Sequence, residues 1–247
     1  MFLNLRVDVL AKLSRCKAFE PLQRFLEASS ATQLAGLFFA PIIQSMPTTQ
    51  PTPKPITHLL YLHGFRSSPQ SSKARTMAQL MATQHPQVHW WCPQLPPSPR
   101  AASLLLLQGS NDWPRESMAV VGSSLGGFYA TWVAEQTGCK AVLLNPAVDP
   151  ARDLAQYIGE QINWHDPQER FFFRSEFIQE LRDLVCSGLA RPGNYLAVIA
   201  KGDEVLDWRE MQARYTGAHI KLLEGGDHAL SDFDAHLPAV LAFLGLA

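Results

Sequence analysis

One stretch constrains this chain more than any other: Met118-Ala-Val-Val-Gly-Ser-Ser-Leu-Gly-Gly-Phe-Tyr129. Met118 to Val121 are apolar and read as a short buried strand, whereas Phe128, Tyr129, Trp132 and Val133 fall at helical spacing. Between them lies Gly122-Ser123-Ser124-Leu125-Gly126. G-x-S-x-G between a strand and a helix is the setting of a nucleophile elbow. Gly122 and Gly126 lack a Cβ, so strand and helix can approach closely while the residue between them takes a strained conformation that lifts its hydroxyl above the sheet. Only Ser124 satisfies the spacing, because a frame centred on Ser123 needs glycine at Val121. The competing reading is a glycine-rich turn with two solvated serines, and residues elsewhere in the chain must decide between them.

An elbow needs a sheet around it. Thr57 to Leu62, Val88 to Cys92, Ala141 to Leu144, Tyr195 to Ala200 and Ile220 to Leu223 are further short apolar runs, the form taken by strands buried on both faces. Helical patterns separate them: Ser67 to His85, with Ser68 or Ser71 as N-cap, Ala101 to Leu107, the segment after the elbow up to Gly138, and Ala235 to Leu244. This alternation predicts an α/β fold of about six mainly parallel strands flanked by helices, with right-handed connections. Residues 149–190 read as helical through Leu154, Tyr157 and Ile158 and again through Phe177, Ile178, Leu181 and Leu184. They are expected to form a small helical lid. The aromatic patch inside it (Trp164, His165, Phe171, Phe172, Phe173) serves either as pocket wall or as core.

The compact domain is expected over residues 56–247. Residues 46–55, rich in proline and threonine, read as a linker. For residues 1–45 two readings stay open: an amphipathic surface helix, or a start of translation at Met46. Scattered charges and a late apolar run, Ala35 to Ile43, fit a signal peptide poorly. With 17% charged residues and a net charge of -1, the chain has no basic footprint for nucleic acid, and no apolar run is long enough for stable membrane insertion. Four widely spaced cysteines without C-x-x-C suit a reducing compartment, and neither a disulfide framework, a metal nor a cofactor is expected.

Three polar residues follow predicted parallel strands: Ser124, Asp203 and His228. That sheet edge is where sites form in open α/β folds. A serine hydroxyl is a weak nucleophile near neutral pH and needs a base, here His228, whose tautomer a carboxylate such as Asp203 would hold. Backbone N–H groups of Phe65 and Leu125 are the candidate oxyanion donors. For His63-Gly64 itself an ordinary strand-ending turn is the alternative. Asp207 is a second candidate acid, expected nearer the next helix start; Asp227 is expected to stay solvated or to cap its turn, and His219 and His236 fall on a strand edge and a helix. The order Ser, Asp, His is that of α/β-hydrolases.

The runs Tyr61-Leu-His-Gly-Phe-Arg-Ser-Ser-Pro, Pro93-Gln-Leu-Pro-Pro, Val121-Gly-Ser-Ser-Leu-Gly-Gly-Phe-Tyr-Ala-Thr-Trp, Asn145-Pro-Ala-Val, Gly202-Asp-Glu-Val-Leu-Asp and Gly225-Gly-Asp-His-Ala resemble the YqiA-type esterases, small bacterial α/β-hydrolases. The resemblance covers residues 56–247 and leaves out the first 55. It implies a compact α/β-hydrolase fold and a cytoplasmic, cofactor-free enzyme with a Ser124-Asp203-His228 triad. Short- to medium-chain acyl esters are the expected substrates, with acyl-CoA thioesters as the alternative and a non-catalytic binding protein on the same fold as the rival.

Overall fold

The computed structural model describes residues 54–247 except 165, 167 and 169. The N-terminal extension, most of the Pro/Thr linker and His165 lie outside the described residues. The strands are β1 (His58–Leu62), β2 (His89–Trp91), β3 (Met118–Ser123), β4 (Lys140–Leu144), β5 (Gly159–Ile162), β6 (Arg170–Phe173), β7 (Tyr195–Ala200) and β8 (His219–Leu223). The helices are α1 (Ser72–Gln84), α2 (Pro99–Gly109), α3 (Leu125–Thr137), α4 (Pro150–Asp153), α5 (Glu176–Asp183), α6 (Trp208–Arg214) and α7 (Phe233–Leu244). Six strands form one parallel sheet in the order β2-β1-β3-β4-β7-β8.

The two-residue period of a strand sorts the apolar residues onto two faces. Leu60, Leu62, Val120, Leu143, Ala197 and Ile199 meet Leu106 of α2, Val133 of α3, Leu181 of α5 and Met211 of α6. Their neighbours Leu59, Tyr61, Val121, Val142 and Val198 meet Met77 of α1 and Phe233 and Val240 of α7. Both faces are therefore covered, which is why the strands read as unbroken apolar runs. The chain leaves β1 towards β2 on one side, then crosses back to β3 on the other. The carboxyl ends of β1 and β3 thus flank the point where the strand order reverses, and a crevice opens there.

Of the two N-caps read for the first helix, Ser71 takes the position and the helix begins at Ser72, though the Ser71 side chain makes no cap bond. Ser68 instead accepts from the Gln70 N–H at 3.1 Å, holding the preceding residues as a loop. The helix read from Ala101 begins at Pro99, whose missing N–H costs nothing at a first helical position, with Ser98 capping the Ala101 N–H at 3.1 Å.

The insertion also differs from the sequence reading. Helices occupy its two ends, α4 and α5, but the aromatic patch between them lies in an antiparallel hairpin, β5 with β6. The alternation in Arg-Phe-Phe-Phe explains it. Phe171 and Phe173 point inward against Phe65, at 5.9 and 5.3 Å between ring centroids, while Phe172 is 59% exposed. Among the described residues no helix is long and apolar enough to cross a membrane.

Candidate active site

The elbow forms where β3 runs into α3. Ser124 has φ 55° and ψ -121°, a strained region for a residue with a side chain that costs about 1–3 kcal/mol. Its neighbours hold it there: the Ser124 N–H donates to Leu144 O at 2.9 Å, and Ser124 O accepts from Gly127 and Ala147 N–H at 2.8 and 3.0 Å. The two flanking glycines are sterically obligatory. A Cβ on Gly122 would lie 2.1 Å from Gly126 O, and one on Gly126 would lie 2.0 Å from Leu62 O.

The Ser124 Oγ lies 2.9 Å from His228 Nε2, and His228 Nδ1 lies 2.8 Å from Asp203 Oδ2. A carboxylate only accepts, so the ring proton sits on Nδ1 and Nε2 presents its lone pair to the serine hydroxyl. The Asp203 side chain is fully buried and that of His228 is 20% exposed. The other Asp203 oxygen accepts from the Val205 and Leu206 N–H groups, both at 2.8 Å, which fixes the carboxylate plane. The loops bearing the two residues pack directly: a Cβ on Gly202 would lie 2.2 Å from Gly226 O.

The alternative residues take other partners. Asp207 caps α6 through the Arg209 N–H at 2.9 Å. Asp227 accepts from the Ser231 hydroxyl and N–H at 2.6 and 2.9 Å, and these bonds, the hydroxyl's first, hold its carboxyl below the usual range. His219 packs on Phe243, and His236 pairs with Asp232 at 3.1 Å.

Leu125 is the first residue of α3, so its N–H has no intrahelical acceptor. The Phe65 N–H belongs to the same rigid peptide unit as Gly64 O. That carbonyl is held by His63 Nδ1 at 3.0 Å and by the Ser67 N–H at 3.3 Å. Because a trans peptide points its C=O and N–H in opposite directions, the Phe65 N–H faces away from those two anchors. His63 Nε2 accepts from the Leu95 N–H at 3.1 Å, which leaves its proton on Nδ1 for Gly64. Among the described residues neither the Phe65 nor the Leu125 N–H makes a hydrogen bond.

Three cavities meet at Phe65. One of about 330 Å³ lies beneath the hairpin and includes Leu125, Tyr129, Phe171 and Phe173. A second, of about 450 Å³, includes Ser124, His228, Asp153 and Glu204. A third, of about 470 Å³, includes Ser124, His228 and Lys73. Lys73 donates to Ala229 O, and desolvation lowers its ammonium's titration. The hairpin end is strapped to the β1 loop: Arg66 Nε donates to Ile162 O at 2.9 Å, the Trp164 N–H donates to Arg66 O at 2.8 Å, and the guanidinium lies 4.3 Å from the Trp164 ring centroid.

Asn145 is a part of this site that the sequence reading passed over as a strand ending. It is fully buried at the end of β4, in the left-handed region with φ 42°. Its Nδ2 donates to Asp227 O and His228 O at 2.9 and 3.2 Å, and its Oδ1 accepts from the Ala200 N–H at 2.8 Å. One amide thus ties the His228 loop to β7. Glu204 adds a second tie, accepting from the His228 N–H at 2.9 Å. The available signal for Asn145 was a residue that tolerates positive φ directly after a buried strand. Asn145→Ala is expected to lower thermal stability by about 1–3 kcal/mol, because it strands the buried Ala200 N–H. An unchanged melting temperature would rule this account out.

The fold is that of α/β-hydrolases. Alpha/beta hydrolase domain-containing protein 10 from mouse is similar over 75% of this chain and 87% of its own, with 15% identity and a TM-score of 0.54. Est1E from Butyrivibrio proteoclasticus is similar over 78% and 88%, with 14% identity and a TM-score of 0.55. The esterase domain of a Rhodothermus marinus protein is similar over 76% and 85%, with 21% identity and a TM-score of 0.52. At these identities the likeness establishes architecture only. The model of the family described as Uncharacterised protein family (UPF0227) matches residues 58–245, from the first strand to just past α7. The chain therefore belongs to that family, the YqiA family to which its sequence runs point.

Proposed function

We propose that this protein is a serine esterase that hydrolyses carboxylic esters through an acyl-enzyme on Ser124. The observation that carries the proposal is the hydrogen-bonded chain from Asp203 through His228 to Ser124, at 2.8 and 2.9 Å, at the carboxyl edge of a parallel sheet. Ser124 Oγ attacks the ester carbonyl carbon as its proton passes to His228 Nε2. Asp203 supports the imidazolium that results. The carbonyl oxygen gains negative charge and is met by the N–H groups of Phe65 and Leu125. Collapse of the tetrahedral species breaks the bond to the alcohol oxygen, which takes the proton from His228. Water then gives a proton to His228 and attacks the acyl carbon; the serine oxygen leaves and recovers that proton. The balance is ester plus water to acid plus alcohol.

Asp153 and Glu204 line the 450 Å³ cavity beside His228. Arg66 lines the same cavity and Arg152 pairs with Asp153 at 2.8 Å, so charge alone does not choose between an oxygen ester and a thioester with a polyanionic leaving group, and turnover of matched oxygen esters and thioesters separates the two. A fluorophosphonate probe tests the reading itself. The full chain is expected to label once, at Ser124, and to hydrolyse activated short-chain esters. Failure to label under conditions where the protein is folded would make it a binding protein on this fold instead.

A further inference from the structure

We infer that the cavity of about 330 Å³ beneath the hairpin is the acyl subsite and that it receives an aryl-alkanoyl group bearing a ring hydroxyl; this rests on the esterase reading above. The side is decided by His228. The alcohol oxygen must reach Nε2 to be protonated, so the alcohol lies in a cavity that His228 lines. The carbonyl oxygen lies between the Phe65 and Leu125 N–H groups. The remaining substituent of the carbonyl carbon, the acyl group, then extends to the far side of those donors. The 330 Å³ cavity is lined by Phe65 and Leu125 but by neither Ser124 nor His228, whereas the other two cavities at Phe65 include both.

The lining decides the chemistry. Phe65, Phe171 and Phe173 meet edge to face, and Pro96 and Pro97 face the same space. Flat, stiff, apolar walls suit a planar ring. The volume, at the small end of the roughly 300–1,000 Å³ range of ligand pockets, holds one ring on a short linker.

Tyr129 supplies the polar end. It follows Leu125 by four residues, one turn of α3 or about 6 Å along the axis, so it lies deeper in the cavity on the same helix face. The residue is only 2% exposed, yet among the described residues its hydroxyl makes no hydrogen bond. Nor is its oxygen one of the fully enclosed polar atoms left without a partner, so it borders open space. Burial, aided by the nearby Glu180 carboxylate, raises the phenol's titration and keeps it protonated. With its hydroxyl open to the cavity and bonded to no described residue, Tyr129 leaves a donor and an acceptor free for whatever enters. A ring hydroxyl on the acyl group both donates and accepts and can meet either.

The test compares kcat/KM for p-nitrophenyl 3-(4-hydroxyphenyl)propanoate and p-nitrophenyl 3-phenylpropanoate, which differ only in that hydroxyl. The wild-type chain is expected to favour the first by about 3–10-fold, the range of one hydrogen bond. Tyr129→Phe, which keeps the ring, is expected to bring the ratio to about one. Leu181→Trp, which fills the same cavity, is expected to lower the 3-phenylpropanoyl-to-acetyl ratio by about tenfold or more. It should leave the preference between ethyl and benzyl esters of one acid where it was. A wild-type ratio of one, a preference that survives Tyr129→Phe, or a Leu181→Trp effect on the alcohol instead of the acyl group overturns the assignment while esterase activity and labelling persist. A folded chain that neither labels nor turns over any of these esters overturns the esterase reading, and this assignment with it.

Discussion

Ser124→Ala is expected to lower kcat towards activated esters by on the order of 10⁶-fold and to abolish fluorophosphonate labelling. Among the described residues no other nucleophile stands ready to take its place, since there the Ser124 Oγ alone is bonded to His228 Nε2. The substitution should leave the fold alone. Alanine occupies the same strained backbone at no greater cost, and the three backbone hydrogen bonds of Ser124 do not involve its side chain. A melting temperature close to wild type therefore accompanies the loss. Turnover within a hundredfold of wild type in a preparation free of contaminating esterase would remove Ser124 from the mechanism.

Asp203→Asn is expected to cost about 10⁴-fold in kcat with little change in KM, the size of effect that a reversed histidine tautomer produces. The Val205 and Leu206 N–H groups both donate to Oδ1, so the amide oxygen of asparagine belongs there. Its NH2 then faces His228 Nδ1 and donates to it. The ring proton moves to Nε2, and the imidazole offers Ser124 a donor where an acceptor is needed. Because the substitution conserves shape in a fully buried position, steady-state kinetics with a thermal melt separates this effect from misfolding. Loss of less than tenfold would mean that Asp203 neither orients His228 nor supports its charge.

Much of this architecture could be read from one dimension. Leu59 to Leu62, Met118 to Val121 and Tyr195 to Ala200 announce strands because both faces of each are covered. Gly122 and Gly126 announce the elbow because each stands where another backbone arrives, the Gly126 carbonyl at Gly122 and the Leu62 carbonyl at the end of β1 at Gly126. The hairpin escaped because its strands are four residues each, between helical segments, and its alternation is carried by three consecutive phenylalanines that look equivalent in sequence. Tertiary packing tells them apart: Phe65 takes Phe171 and Phe173, Phe177 takes Phe173 from another side, and Phe172 is left to solvent. The roles of Asn145 and His63 were hidden for a related reason: each acts on partners set by other strands and loops.

Periodicity and steric need are local properties, so the chain's order of residues sufficed for the parallel α/β sheet, for the turn that raises Ser124, and for Ser124, Asp203 and His228 as the polar residues at strand ends. Distances between those residues are not local. Ser124 and His228, 104 positions apart in the chain, close to 2.9 Å because β3, β4, β7 and β8 pair in one register, and because the Asn145 amide and the Asp203 carboxylate stop the returning loops at one height. Which cavity adjoins the alcohol and which the acyl group likewise depends on where the hairpin packs over Phe65, a position only the folded sheet supplies.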